Sequence, residues 1–108
     1  MDRSLDEINF EKSGGLIPIV VQDADTKDVL TLAYANKESL ELTKKTGNSW
    51  FWSRSRKKLW MKGEESGNTQ KVKKILVDCD SDAAIYLVEP SGPACHLGEA
   101  ACFHNRLA

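Results

Sequence analysis

Leu16-Ile17-Pro18-Ile19-Val20-Val21-Gln22, then Asp23-Ala24-Asp25-Thr26-Lys27, then Val29-Leu30-Thr31-Leu32-Ala33-Tyr34 is the stretch that decides the fold. Two apolar runs rich in branched side chains flank a polar one. Branched residues fit a pleated surface, whereas Asp and Thr favour turns. The pattern therefore predicts a β-hairpin with strands over 16–22 and 29–34.

Working outward, Asn36 is suited to cap a helix over 37–46, with Glu38 early, Lys44 and Lys45 late and Gly47 just past its end. Leu40 then faces the core. Aromatic and polar residues alternate over 49–54, and apolar, largely β-branched segments follow at 59–61, 72–77 and 83–88, so strands outnumber helices. Upstream, Ser4 and Glu7 have the spacing of a capping box that opens one short helix ending before Gly14-Gly15. Pro90-Ser91-Gly92-Pro93 breaks regular structure, and the tail after it carries two cysteines and both histidines. The expected fold is mainly β, a sandwich or pseudo-barrel of short strands with one or two short α-helices.

The chain has 108 residues, enough for one domain over 1–108. Fifteen basic and sixteen acidic side chains give a net charge of -1, so no global field draws in nucleic acid and local patches must do any anion recognition. No apolar run is long enough to span a bilayer and no signal-like stretch follows Met1, so the expectation is a soluble cytoplasmic protein. Three cysteines in a reducing compartment point to a metal or catalytic site rather than a disulfide framework.

Three clusters carry chemistry. In Asp78-Cys79-Asp80-Ser81-Asp82 an extended backbone would send the three carboxylates to one face and the thiol to the other. Such carboxylates repel unless a hard cation such as Mg²⁺ neutralises them; an Asx-bonded turn is the plainer reading of the same residues. Cys79, Cys95 and Cys102 are soft ligands that select zinc, with either a histidine or an open, water-holding position as the fourth. Buried apolar thiols are the alternative. Third, Arg54 and Arg56 on one strand face precede Lys62 and a turn of Gly63, Ser66, Gly67 and Asn68, a setting for phosphate. A solvated basic strand with core tryptophans fits the same residues, and so does a small zinc-containing module that stacks single-stranded nucleic acid on Trp50, Trp52 and Trp60.

Taken together, the chain resembles the phosphoribosyl-AMP cyclohydrolase family of histidine biosynthesis. The resemblance runs from Gly15-Leu16-Ile17-Pro18 through 29–36, Ser53-Arg54-Ser55-Arg56, Leu59-Trp60, Lys62-Gly63-Glu64, Ser66-Gly67-Asn68 and residues 78–82 to Cys95-His96, Gly98 and Cys102-Phe103. Glu65, Leu97 and Ala101 depart from it, standing where Thr, Thr and Ser are usual. The resemblance implies an intertwined homodimer, Mg²⁺ at Asp78, Asp80 and Asp82, and Zn²⁺ at Cys79, Cys95 and Cys102, with Cys79 supplied by the partner subunit. It implies hydrolytic opening of the N1–C6 bond of the adenine ring in a small-molecule substrate, N1-(5-phosphoribosyl)-AMP. In that scheme His96 is the candidate proton-transfer group, Arg54, Arg56 and Lys62 pair with the phosphates, and Ser66, Gly67 and Asn68 orient the substrate. A fused pyrophosphohydrolase domain is not expected.

Overall fold

The computed structural model describes residues 3–95 and 97–108. The deciding hairpin forms as read. Strand β1 (Ile17–Asp23) pairs antiparallel with β2 (Val29–Ala35), Ile17 opposite Ala35 and Val21 opposite Thr31. The intervening polar run closes because Asp23 Oδ1 accepts the Asp25 and Thr26 N–H groups at 2.8 and 3.1 Å.

Asn36 caps α1 (Lys37–Thr46). Its Oδ1 accepts from the Ser39 N–H at 2.8 Å while Ser39 Oγ accepts from the Asn36 N–H at 2.9 Å. Strands β3 (Trp50–Ser53) and β4 (Lys58–Met61) form a separate antiparallel ribbon. Strand β5 (Gln70–Val77) pairs antiparallel with β6 (Ala84–Pro90), and β6 lies parallel to β1, giving a mixed sheet of order β2-β1-β6-β5. A parallel pair requires a long crossover, and the connection from β1 to β6 contains the hairpin return, α1, the ribbon and β5.

One face of the sheet makes the core. Ile17, Ile19 and Val21 of β1 and Ala84, Tyr86 and Val88 of β6 are buried, with Leu40 of α1 and Phe51 of β3 in the same cluster. The Phe51 ring centroid lies 4.9 Å from that of Trp60 and 5.6 Å from that of Tyr86, the spacing of favourable aromatic pairs. The sealed Tyr86 hydroxyl donates to the Trp50 carbonyl at 3.2 Å, and burial pushes its pKa up to about 12, a shift partly opposed by its hydrogen bond with Thr43.

The mainly β class with a single α-helix among the described residues agrees with the expectation, but the N-terminal segment differs. It holds two 3₁₀ turns, Leu5–Glu7 and Glu11–Ser13, in place of one short helix. The capping box is present, the Ser4 N–H donating to Glu7 Oε1 at 3.0 Å. Propagation stops because Ile8 turns extended and the Asn9 N–H is committed to the Ser81 carbonyl at 2.7 Å, so the segment straps the 78–82 loop. Among the described residues no helix is long and apolar enough to cross a membrane.

Candidate active site

The acidic segment leaves β5 and turns at once. Asp78 Oδ1 accepts the Asp82 and Ala83 N–H groups at 3.0 and 3.3 Å, the Ser81 N–H returns to the Asp78 carbonyl at 3.2 Å, and Ser81 sits at φ +62°. Residues 78–82 thus form the Asx-bonded turn that is the plainer reading of the sequence, and not an extended segment with the carboxylates on one face and the thiol on the other. The reason is local: an Asp side chain competes for the N–H groups that a strand would pair. The turn still gathers the carboxylates. One oxygen each of Asp78, Asp80 and Asp82 lies within 4.8 Å of the others.

A cation already sits among them. Lys12 Nζ is 2.6 Å from Asp82 Oδ2 and 3.1 Å from Asp80 Oδ2. Hydrogen bonds to Asp82 and then Asp80 hold its pKa above lysine's ordinary value. Arg3 reaches the same loop, donating to Ser81 Oγ and, at 3.1 Å, to the Cys79 carbonyl. Oxygen donors that converge on one ammonium suit a hard cation, so the donor set fits magnesium chemistry. The sequence reading missed Lys12 and Arg3. Each lies some seventy residues from its partner, and no local spacing signals such a contact.

The thiols are arranged differently. Cys95 is buried, with its Sγ 3.7 Å from His104 Nε2, whereas Cys79 and Cys102 are exposed. Ala94 and Cys95 pair with the later tail, the Ala94 N–H donating to the Ala100 carbonyl at 3.3 Å and the Cys95 N–H to the Glu99 carbonyl at 3.1 Å, and Cys102 docks on β2 through its N–H and the Leu30 carbonyl at 2.7 Å. Among the described residues the three thiols do not come together within one chain. His96 lies outside the described residues.

Arg54 and Arg56 occupy the turn between β3 and β4 and not one strand face as expected. Pairing ends at Ser53 opposite Lys58, which leaves residues 54–57 to reverse the chain, with Lys57 at φ +52°. The Arg54 guanidinium lies 3.9 Å above the Tyr34 ring centroid, a cation–π contact that the sequence did not signal. Arg56, Trp60, Lys62, Glu64 and Ser66 line a hollow of about 400 Å³. Lys62 Nζ also donates to the Ala94 carbonyl, tying that hollow to the residue before Cys95. Gly67 and Asn68 stand behind it as supports of the turn, the Gly67 N–H bonding the Gly63 carbonyl at 2.8 Å and the Asn68 N–H bonding Ser66 Oγ at 3.2 Å. Trp60 also packs on Phe51, and the ring nitrogen of Trp50 is buried.

Comparison with known proteins follows the same direction. The sequence profile of the phosphoribosyl-AMP cyclohydrolase family matches residues 31–104. A phosphoribosyl-AMP cyclohydrolase of Nitrosopumilus maritimus is 77% identical over 107 residues, 99% of each chain, and one of Cenarchaeum symbiosum is 74% identical over the same share. A histidine biosynthesis bifunctional protein of Bacillus subtilis is 61% identical over 101 residues, which span 94% of this chain and 48% of that protein.

Proposed function

Since the chain belongs to the phosphoribosyl-AMP cyclohydrolase family, we propose that it is a hydrolase of histidine biosynthesis that opens the N1–C6 bond of the adenine ring in N1-(5-phosphoribosyl)-AMP. The observation that carries the reading is the bond from Lys62 to the Ala94 carbonyl, because it joins the basic hollow of Arg56 and Ser66 to the Cys95 turn.

Ribosylation at N1 makes the ring cationic and C6 electron-poor. Water adds at C6, the N1–C6 bond breaks with its electron pair going to nitrogen, and a proton reaches N1, leaving a carboxamide and a formamidine. Arg56 and Lys62 pair with phosphate, Arg54 serves the second phosphate from the Tyr34 side, and the 63–68 turn sets the orientation with Ser66, Gly67 and Asn68. His96, adjacent to Cys95, carries the proton. Asp78, Asp80 and Asp82 hold Mg²⁺; Cys95 and Cys102, with Cys79 of the partner subunit, hold Zn²⁺. Zinc in such a thiolate set supplies the Lewis acidity that makes water nucleophilic near neutral pH.

Two features support a homodimer as the working form. Among the described residues the three thiols form no common group within one chain, which a shared site explains. On the sheet face away from the core, Leu32, Val20, Ile85 and Leu76 are register neighbours across all four strands, and the two outer leucines are 44% and 46% exposed. An apolar row of that length suits burial against a second copy.

The test is an absorbance assay of the purified chain with phosphoribosyl-AMP, with and without chelator. Turnover that stops on chelation and returns with zinc and magnesium is expected; a fully metal-loaded protein that leaves this substrate intact would falsify the assignment.

A further inference from the structure

The acidic turn and the N-terminal strap meet at Lys12. Its ammonium contacts two of the three carboxylates, Asp82 Oδ2 at 2.6 Å and Asp80 Oδ2 at 3.1 Å. A divalent ion bound by Asp80 and Asp82 would compete for carboxylate oxygens that the ammonium already contacts, and two cations crowded against the same carboxylates would repel one another. Ammonium and metal therefore exclude one another. The strap does not depend on the ammonium for its position: the Asn9 N–H is bonded to the Ser81 carbonyl at 2.7 Å, Arg3 is bonded to the Cys79 carbonyl at 3.1 Å, and Asn9 Oδ1 accepts the Lys12 backbone N–H at 3.1 Å. The half-exposed, four-carbon stem of Lys12 can thus swing away while its backbone stays in place.

We infer that Lys12 is a built-in competitor for the Asp80 and Asp82 carboxylates, neutralising the triad before metal arrives and yielding its place to a divalent ion. The inference rests on the reading of the triad as a divalent-metal site and adds what that reading lacks, a residue that sets the affinity of the site and its preference for doubly charged ions. A monovalent ion brings no more charge than the ammonium already tethered there, so it gains nothing by displacing it. A divalent ion brings twice the charge and prevails.

The experiment titrates the full chain, freed of magnesium, with Mn²⁺ and reads the unbound ion by electron paramagnetic resonance. Lys12→Met should bind Mn²⁺ about fivefold more tightly than the parent, the scale of an exposed ion pair no longer opposing the metal. Lys12→Arg, which keeps the charge on the same strap, should stay within about twofold of the parent. Equal or weaker binding by Lys12→Met overturns the inference, and so does tightening by Lys12→Arg to the same extent, since the strap and not the charge would then be responsible. If Mn²⁺ binds to none of the three proteins, the metal reading of Asp78, Asp80 and Asp82 falls and the inference falls with it. Circular dichroism of both variants, whose substitution lies on an exposed side chain, confirms that the comparison is between folded proteins.

Discussion

Tyr86 shows what a single residue contributes beyond its hydrophobic area. Its ring stacks on Phe51 and its hydroxyl is sealed between Thr43 and the Trp50 carbonyl, so ionisation in place would strand a phenolate without water. With the folded pKa raised to about 12 from an ordinary 10, the folded state holds the proton more tightly than the unfolded chain does. The stability from this group is complete below about pH 10 and is lost as pH climbs from about 10 to about 12, amounting to roughly 2 to 3 kcal/mol across that window. Urea denaturation at a series of pH values should show this loss in the parent and not in Tyr86→Phe; parallel curves for the two proteins would refute it. At this scale the sequence was informative about which residue types matter and silent about their company. Asp78, Asp80 and Asp82 announce themselves by spacing, but Lys12 beside them and Tyr34 under Arg54 are brought in by distant chain, which no local pattern encodes.

Elements stopped by their own residues were legible. Helix α1 runs over the expected residues because Asn36 and Gly47 terminate it chemically, and the hairpin of β1 and β2 closes at the Asp23 turn. Elements whose form depends on a neighbour were not: the N-terminal segment became two 3₁₀ turns against Ser81, and the basic pair left the strand when the ribbon register placed 54–57 in its turn. The turn after β4 lies between these cases. Gly63 was read as a turn former, and the structure makes the demand on it specific: φ is +87°, and a Cβ would come within 2.5 Å of the Asn68 carbonyl carbon and the Thr69 nitrogen. Backbone on that side cannot yield as a flexible side chain would, so Gly63→Ala must shift the residues that carry Ser66 and Asn68. If that turn orients substrate, the variant should raise KM about tenfold or more with a smaller fall in kcat, while its far-ultraviolet spectrum stays that of the parent. Unchanged KM would remove the 63–68 turn from the substrate site.

The whole molecule is where sequence patterning carries least, since the parallel pairing of β1 with β6 and the order β2-β1-β6-β5 are matters of long-range contact. Mainly β character was readable from strand-forming runs; which strands neighbour one another was not. The same scale decides the zinc proposal. Within one chain Cys79 rides the acidic turn, Cys95 lies buried near His104 and Cys102 is docked by its backbone to β2, and among the described residues the three form no common group. If a second copy supplies Cys79, the arithmetic of mixed subunits is strict. Cys79→Ala and Cys102→Ala should each be inactive alone, because every zinc site in either homodimer lacks one ligand. Mixed and allowed to exchange, they form heterodimers in which one site collects both defects and the other is complete, so activity should return to about half per heterodimer. Ligands drawn from a single chain would instead leave every heterodimer with two damaged sites. Absence of recovered activity, with subunit exchange verified by mass-tagged chains in native mass spectrometry, would therefore rule out the shared site and require all three thiols to meet within one subunit.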